Sequence, residues 1–580
     1  MTGRRWEDRL GDPRSGLAIA QRLELPEVVG RAIAARNIGL DEAEAFLAPR
    51  LRAHLPDPSG FRDMDRAVVR LIKALEGEEK VAVFGDYDVD GATSAALLHR
   101  FLGALGRPPL LYIPDRMTEG YGPNERALLG LQQQGVSLVV TVDCGTTAAE
   151  PLARAADAGL DVIVLDHHAA DAELPETAAL VNPNRRDEAG RCRQLAAAGV
   201  TYLLLIALNR ALRSAGWYKE RLAEPDLLGL LDLVALGTVC DVVPLTGLNR
   251  AFVAQGLKVM ARRANVGLSA LGDVVKLAEP PGTYHAGFQF GPRINAGGRV
   301  GEAALGARLL TTEDPGEAAS LAQRLDQFNQ ERREIERAVL EQALDQVAER
   351  PAGAGLTFAA GEGWHPGVIG IVASRLKERT NLPSLVVALG DDGIGKGSAR
   401  SVPGVDLGRA VLDAKAAGLL INGGGHPMAA GLTVAADRLE ALRDFLDQAL
   451  AREMAEIAYR PVLGLDGALQ PRAASFPLVA QLDRLSPFGV GNPEPRFALS
   501  AVRVVRPQVV GDGHLRFRLV GADGAGLKAI AFRAFDGALG EALSTAGGLP
   551  FHVAGKLRPD TWAGPEAVQM IVDDAAPASG

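Results

Sequence analysis

Beyond its first 75 or so residues, the chain alternates short β-branched apolar runs with longer stretches whose apolar residues recur at helical spacing. VAVFG at 81–85, LLYIP at 110–114, VSLVVTVD at 136–143 and DVIVLD at 161–166 read as strands. Between them GATSAALLHRFLGAL, NERALLGLQQQ and TTAAEPLARAADAG read as helices. Strands that are apolar throughout and separated by helices predict a parallel sheet covered on both faces, with ligands at its carboxyl ends. From about 195 to 350 the pattern is mostly helical. It ends in a charged stretch with no Gly or Pro after Pro315–Gly316, which predicts one helix of up to about 35 residues and about 50 Å, suited to an interdomain strut. A second α/β pattern follows, containing HPGVIGIVASRLKE, PSLVVAL, GKGSARS and INGGGHPMAAGLTV. The last segment changes again: FALSAVRVV, HLRFRLV, LKAIAFRAF, FHVAGKLRP and AVQMIVDD alternate with period two, as in a small β barrel. The expected architecture is α/β and multidomain. It has a helical lead-in at 1–75, a parallel-sheet domain at 76–310, a connecting helix at 311–350, an α/β domain at 351–456 and a barrel at 460–577.

Composition narrows the class. A chain of 580 residues is too long for one core, which excludes a single small binding module. Three cysteines without CxxC spacing speak against a disulfide framework and a cysteine-built zinc site. The amino terminus has no apolar leader and no apolar run approaches about 20 residues, so a cytoplasmic, non-membrane protein is expected. The net charge of −9 seems to oppose a polyanionic partner. Arginine, the residue suited to bidentate phosphate contacts, nevertheless far outnumbers lysine.

The placement of the acids says more than their number. VAVFG runs into Asp86-Tyr87-Asp88-Val89-Asp90-Gly91, VSLVVTV into Asp143, and DVIVL into Asp166-His167-His168. Asp241 closes the apolar helix-like run DLLGLLDLVALGTVC. If the first segment stays extended, its period of two sends Asp86, Asp88 and Asp90 to one side. So many carboxylates cannot share a cleft with an imidazole at neutral pH without cations. Oxygen and imidazole donors favour Mn²⁺ or Mg²⁺ over Zn²⁺, and a two-metal site attacking a phosphoester is the natural reading. DYDVDG also opens like a calcium loop, but the twelfth position, which must be Glu, is Leu97.

These four ordered motifs resemble the DHH phosphoesterase family. IPDRMTEGYGPN (113–124), GPRINAGGR (291–299), HPGVIGIVASRL (365–376), GKGSARS (395–401), GGGHPMAAG (423–431) and SPFGVGNPEPRF (486–497) extend the likeness to its bacterial single-stranded-DNA exonucleases across nearly the whole chain. The resemblance implies a DHH catalytic domain, a long connecting helix, a DHH-associated domain and an OB-fold barrel. It further implies degradation of single-stranded DNA from the 5′ end to mononucleotides with Mn²⁺ or Mg²⁺, two ions, in recombination and repair. Single-strand binding protein and a helicase are implied partners, and a monomer is expected. Asp88, Asp90, Asp143, His167 and Asp241 match the family's metal ligands, with Asp86 beside them. His168 and Asp166 fall at catalytic positions, His168 contacting the scissile phosphate or protonating the leaving oxygen. Two other readings stand beside this one: a DHH phosphodiesterase acting on short oligonucleotides or cyclic dinucleotides, and a binding protein on a decayed DHH core. The barrel counts against the first, the intact acids against the second.

An exonuclease needs a device that finds an end. Gly424 and Gly425, with His426, can present bare backbone N–H groups to a phosphate. Ser398 and Arg400 lie on one face of an extended segment, suited to a terminal 5′ phosphate. Arg293, Asn295 and Arg299 are expected to reach the same strand, Arg116 and Tyr121 to clamp it near the metals, and Arg375 to meet a phosphate or a salt-bridge partner. In the barrel, Phe517, Phe532, Phe551 and Trp562 are candidates for base stacking or for the core.

Overall fold

Buried parallel strands need apolar residues on both faces, and the catalytic sheet is built of them. In the computed structural model β1 (Val81–Gly85), β2 (Leu110–Tyr112), β3 (Leu138–Val142), β4 (Asp161–Leu165) and β5 (Ala179–Val181) are all parallel, in the order β2-β1-β3-β4-β5. β3 is buried at every position. Helices α1 (Val89–Ala104), α2 (Glu125–Gln133) and α3 (Ala149–Asp157) connect the strands as the apolar spacing predicts. β5 is an addition, too short to have been read from the sequence. The structure describes all residues except 11, 117, 171–172, 191, 219–221, 349–353, 458 and 579–580. The end of the expected connecting helix at 349–350 and the start of the following domain at 351–353 therefore lie outside the described residues.

The chain forms two compact units: residues 57–241 with 256–459, and residues 1–56 with 242–255 and 460–580. In the first, α1 is sandwiched against α4 (Ala197–Ser214) and α5 (Leu231–Cys240), which are apolar nearly all round and buried accordingly. A π-helical turn (His285–Phe290) leads into α6 (Gly291–Val300). The strut is α7 (Pro315–Ala348), 34 residues long. Its first half buries Leu321, Leu325 and Phe328, at the i, i+4, i+7 spacing of one face. Its second half buries Val339 and Ala343 in a cluster with Trp364, Val368 and Val372. One continuous helix thus joins the helices of the catalytic domain to the next domain.

That domain contains β6 (Thr357–Glu362), α8 (Ile369–Thr380), β7 (Ser384–Leu389), β8 (Ile394–Arg400), α9 (Leu407–Ala416), β9 (Asn422–His426), β10 (Ala429–Ala435) and α10 (Leu439–Ile457). The sheet order is β9-β10-β8-β7-β6, parallel only between β6 and β7.

In the other unit, strand Phe497–Val510 pairs with His514–Val520 on one side and Pro550–Pro559 on the other, closing a five-stranded barrel through Gly526–Ala531 and Val568–Pro577. Phe517 and Phe551 belong to its core, whereas Phe532 and Trp562 are exposed. Residues 1–56 carry helices, as expected, and also a strand, Arg5–Asp8, parallel to Val462–Leu465. Ile19, Val29 and Ile33 of this segment share the barrel's core. Among the described residues no helix is long and apolar enough to cross a membrane.

Candidate metal centre and nucleic-acid site

β1 ends at Gly85 and the chain turns at once into α1. Asp88 is the N-cap, its Oδ1 accepting from the N–H groups of Asp90 at 2.9 Å and Gly91 at 3.1 Å. The expectation of an extended acidic segment is thereby corrected: a strand-to-helix turn, with its helical period, gathers Asp86, Asp88 and Asp90. Gly91 permits the turn, since a Cβ there would stand 2.4 Å from the Asp86 carbonyl oxygen. Asp90 is buried, and its carboxylate accepts from the N–H groups of Ala197 at 2.6 Å and Ala198 at 2.9 Å. Those groups open α4, where the helix dipole favours a negative charge. Asp143 leaves β3 at φ 62°, a left-handed conformation that costs a non-glycine residue about 1–3 kcal/mol and recurs at functional sites. Asp241 sits at the carboxyl end of α5, where the dipole opposes it.

His167 brings these acids together. Its Nε2 lies 3.2 Å from Asp143 Oδ1, 3.6 Å from Asp241 Oδ2 and 3.9 Å from Asp90 Oδ2. Burial lowers its pKa to about 4, so the ring is neutral near pH 7. It hydrogen-bonds the backbone of Leu195, and since Nε2 makes no hydrogen bond among the described residues, that bond uses Nδ1. The Nε2 lone pair therefore points at carboxylate oxygens. Asp86 Oδ1, Asp143 Oδ1 and Asp241 Oδ2 are likewise buried and unbonded among the described residues. Burial, then the neighbouring acids, push Asp86 and Asp143 well above the usual carboxylate range, Asp90 to about 7 and Asp241 to about 9. Acceptors facing acceptors at these distances fit divalent cations. The ligand atoms fall into neighbouring sets, Asp86-Asp88-Asp143 and Asp90-His167-Asp241, each within 4.8 Å, with Asp143 against both. The donor set is oxygen with one imidazole, as Mn²⁺ or Mg²⁺ prefers.

Asp166, expected among the catalytic groups, is committed to hydrogen bonds with its neighbours. Fully buried, it accepts from the N–H groups of Thr146 (3.0 Å), His167 (2.7 Å) and His168 (3.2 Å), and pairs with His168 Nδ1 at 2.8 Å. These bonds outweigh burial and hold its pKa far below the usual range. His168 itself is partly exposed, and although burial pulls its pKa down, the Asp166 bond raises it. Tyr121 Oη donates to the Asp143 carbonyl at 3.1 Å and lies 3.3 Å from His168 Nδ1.

The sequence did not reveal the amides behind the histidines. Asn182 donates to Thr146 Oγ1 and to the His168 carbonyl, both at 2.9 Å, and Asn184 donates to the His167 carbonyl at 2.5 Å. The motif VNPN after β5 was the available signal.

The predicted substrate residues divide. The Arg116 guanidinium lies 5.1 Å over the Tyr87 ring, and its charge acts on both Arg299 and Arg400. Arg299 donates to the Gly367 carbonyl at 3.1 Å. Burial, then Arg116 and Arg332, bring its pKa down to about 10. Arg400 donates to Ser398 Oγ at 3.1 Å from the same face of β8. Arg116, Arg299 and Arg400 thus form a cationic cluster whose Arg116 also acts on Asp86, while Arg332, which acts on Arg299, is paired with Glu336 at 2.6 Å. Asn295 Oδ1 is buried and unbonded among the described residues, one turn from Arg299 on α6. Arg293 is instead held by Asp326 on α7 at 2.8 Å, and Arg375 pairs at the surface with Glu336 and Glu378. Gly424, Gly425 and His426, expected as a phosphate cradle, form the edge strand β9.

Comparison with known proteins agrees with this geometry. Residues 80–238 match the DHH family N-terminal domain, 353–452 the DHHA1 domain and 465–574 the RecJ OB domain. The single-stranded-DNA-specific exonuclease RecJ of Escherichia coli is 35% identical, over 96% of each chain. That of Bacillus subtilis is 32% identical over 99% of this chain and 71% of its own length. The crystal structure of RecJ from Thermus thermophilus in complex with Mn²⁺ covers 99% of this chain and 80% of that chain, at 31% identity and a TM-score of 0.82. With its three matched domains in order and relatives this similar over most of their length, the chain belongs to the RecJ family of DHH proteins.

Proposed function

We propose that the protein is a metal-dependent exonuclease that degrades single-stranded DNA from its 5′ end to mononucleotides, in recombination and DNA repair. The observation that carries this reading is the set of buried acceptors, Asp86, Asp143, His167 and Asp241, facing one another beside the cluster of Arg116, Arg299 and Arg400. Asp86, Asp88, Asp90, Asp143, His167 and Asp241 hold two ions. Mn²⁺ or Mg²⁺ there acidifies water and offsets the charge of the phosphodiester. In the hydrolysis a water oxygen joins phosphorus, the bond to the 3′ oxygen breaks, and that oxygen takes up a proton. Asp166 holds His168 through Nδ1, leaving Nε2 to contact the scissile phosphate or supply that proton. Arg400 and Ser398 take the terminal 5′ phosphate, while Arg116, Asn295 and Arg299 take the strand behind it.

The segments at 311–350, 351–456 and 460–577 serve as strut, substrate-binding domain and accessory barrel, and 76–310 as the catalytic domain except for residues 242–255. The expected lead-in at 1–75 divides, residues 1–56 joining the barrel's unit and 57–75 the catalytic one. A cytoplasmic monomer working with single-strand binding protein and a helicase completes the reading. Action on cyclic dinucleotides is not favoured, because the match to the RecJ OB domain at 465–574 belongs to a polymer-degrading relative. The test incubates the protein with Mn²⁺ and 5′-labelled single-stranded, duplex and dinucleotide substrates. Labelled mononucleotide released rapidly from the long single strand is expected; turnover of the dinucleotide alone sinks the proposal.

A further inference from the structure

The connection from β2 to α2 carries both Arg116 and Tyr121. Its backbone alone has little hold on either. Tyr121 stands between Gly120 at φ 84° and Gly122 at φ 77°, left-handed positions that glycine takes without strain and leaves as easily. A Cβ on Gly120 would meet nothing within 4 Å, so conformation and not space calls for glycine there. What fixes the connection is a carboxylate that the motif IPDRMTEGYGPN also contains. Glu119 Oε2 accepts from Tyr112 Oη at 2.7 Å and from Asn124 Nδ2 at 3.2 Å, and its Oε1 accepts from the Asp115 N–H at 2.9 Å. The Glu119 N–H closes the turn on the Asp115 carbonyl at 2.8 Å.

Each donor is itself anchored. The Tyr112 ring stacks on Phe84 of β1 with centroids 5.2 Å apart, and Phe84 is fully buried just ahead of Asp86. Asn124 caps α2, its Oδ1 accepting from the Ala127 N–H at 2.9 Å. Asp115 Oδ1 accepts from the Thr118 N–H at 2.9 Å. One carboxylate thus ties the end of a strand, a turn and the start of a helix. Although burial raises its pKa, the bonds from Asp115, Tyr112 and Asn124 bring it below the usual range, so the acceptor stays ionised. Arg116 over the Tyr87 ring and Tyr121 on the Asp143 carbonyl lie on either side of it in the chain.

We infer that Glu119 is a positioning residue of the strand-binding site: it locks the connection so that Arg116 and Tyr121 stand beside the metal centre before a strand arrives. The inference rests on the exonuclease reading for what those two side chains grip. Only molecules with the connection in place can grip a strand, so the apparent dissociation constant is the intrinsic one divided by their fraction. The tie keeps that fraction high. Without it the two glycines release Tyr121, and each lost hydrogen bond to a charged acceptor weighs roughly tenfold or more in such an equilibrium.

The test is a cycle that combines Glu119→Ala with an Arg116→Ala/Tyr121→Ala background. Dissociation constants for a labelled single strand are read by fluorescence anisotropy in EDTA, and Mn²⁺ affinity by calorimetry. Glu119→Ala alone should weaken strand binding roughly tenfold. It should leave Mn²⁺ affinity unchanged and speed amide exchange in the connection alone. In the background that lacks both gripping side chains it should cost less than about twofold, because residues that act as one unit are not additive. Tyr112→Phe removes one donor while its ring keeps its place on Phe84, and should shift binding the same way by less. It takes the place of Glu119→Ala in the cycle if that variant melts early. The same loss repeated in the background overturns the inference. So does an unchanged affinity in the otherwise native chain, or a fall in Mn²⁺ affinity that matches the loss of the strand. If the wild type binds the strand in EDTA but turns over none with Mn²⁺, the activity reading fails while the binding cycle still decides the role of Glu119. A wild type that binds no strand overturns both.

Discussion

Stripping the metal centre at different pH values probes the acids directly. Asp90 and Asp241 have folded-state pKa values of about 7 and about 9, above the ordinary 3.8, through burial first and repulsion from neighbouring carboxylates second, Asp88 acting on Asp90, and Asp90 with Asp88 on Asp241. A carboxyl whose pKa is raised by folding is held protonated in the folded state, while the unfolded chain ionises it near 3.8. Stability of the stripped protein therefore falls as pH rises from that value and levels off above each folded pKa. Between pH 6 and 9, Asp90 contributes a fall on the order of 1 kcal/mol and Asp241 a few kcal/mol, at 1.36 kcal/mol per unit. For a unit of this size that is roughly six degrees in melting temperature. Mn²⁺ or Mg²⁺ competes with protons for the same oxygens, so the stabilisation that metal confers should grow over the same range. The assay is thermal unfolding of EDTA-treated and Mn²⁺-loaded protein at pH 6, 7.5 and 9. Asp241→Asn supplies the decisive arm: it removes the buried charge, so the stripped variant should be more stable than the stripped wild type at pH 9, yet inactive. An equal pH dependence with and without metal, or an Asp241→Asn protein no more stable than the wild type at pH 9, would refute the argument.

Other expectations follow from the same geometry. Asp143→Asn should abolish cleavage while leaving DNA binding within a few-fold, read by anisotropy and by nucleotide release. Asp166→Asn loosens the hold on His168 Nδ1 and should lower kcat by roughly 10²- to 10⁴-fold, the range of a displaced acid–base group, with KM little changed. Arg400→Ala should raise KM roughly 10- to 150-fold for a 5′-phosphorylated strand, as loss of a charge-assisted contact does, but far less for a 5′-hydroxyl strand. Gly91→Ala puts a methyl 2.4 Å from the Asp86 carbonyl and should weaken Mn²⁺ binding measured by calorimetry.

The legible part of the fold was the part in which burial dictates residue type. β1, β3 and β4 are covered on both faces, so their sequences are unbroken apolar runs ending in acids at the sheet's carboxyl edge. The long helix was legible for a related reason, since nothing in it breaks the helical ladder. Arg5–Asp8, by contrast, pairs through its backbone and needs no apolar pattern, so RWED gave no sign of a strand. β5 has only three residues, too few for a period to register. Likewise Asn182 and Asn184 act on carbonyls 14 and 17 residues away, contacts that exist only once the sheet has formed.

The site shows where spacing helps and where it misleads. Asp86, Asp88 and Asp90 do meet, but by a turn into a helix, and the direction of Asp90 is set by the amino end of α4 more than 100 residues later. GPRINAGGR tempts a reader to send both of its arginines to the substrate. On a helix, residues six apart are separated by about 120° around the axis, whereas residues four apart differ by only about 40°. Asn295 and Arg299 therefore share a face, and Arg293 cannot share it with them. The structure resolves the pair accordingly: Arg299 joins the cationic cluster, and Arg293 is drawn to Asp326 on the strut. The expectation that both arginines reach the same strand missed this because it counted residues along the motif and left out the helical period, which requires that the two arginines part.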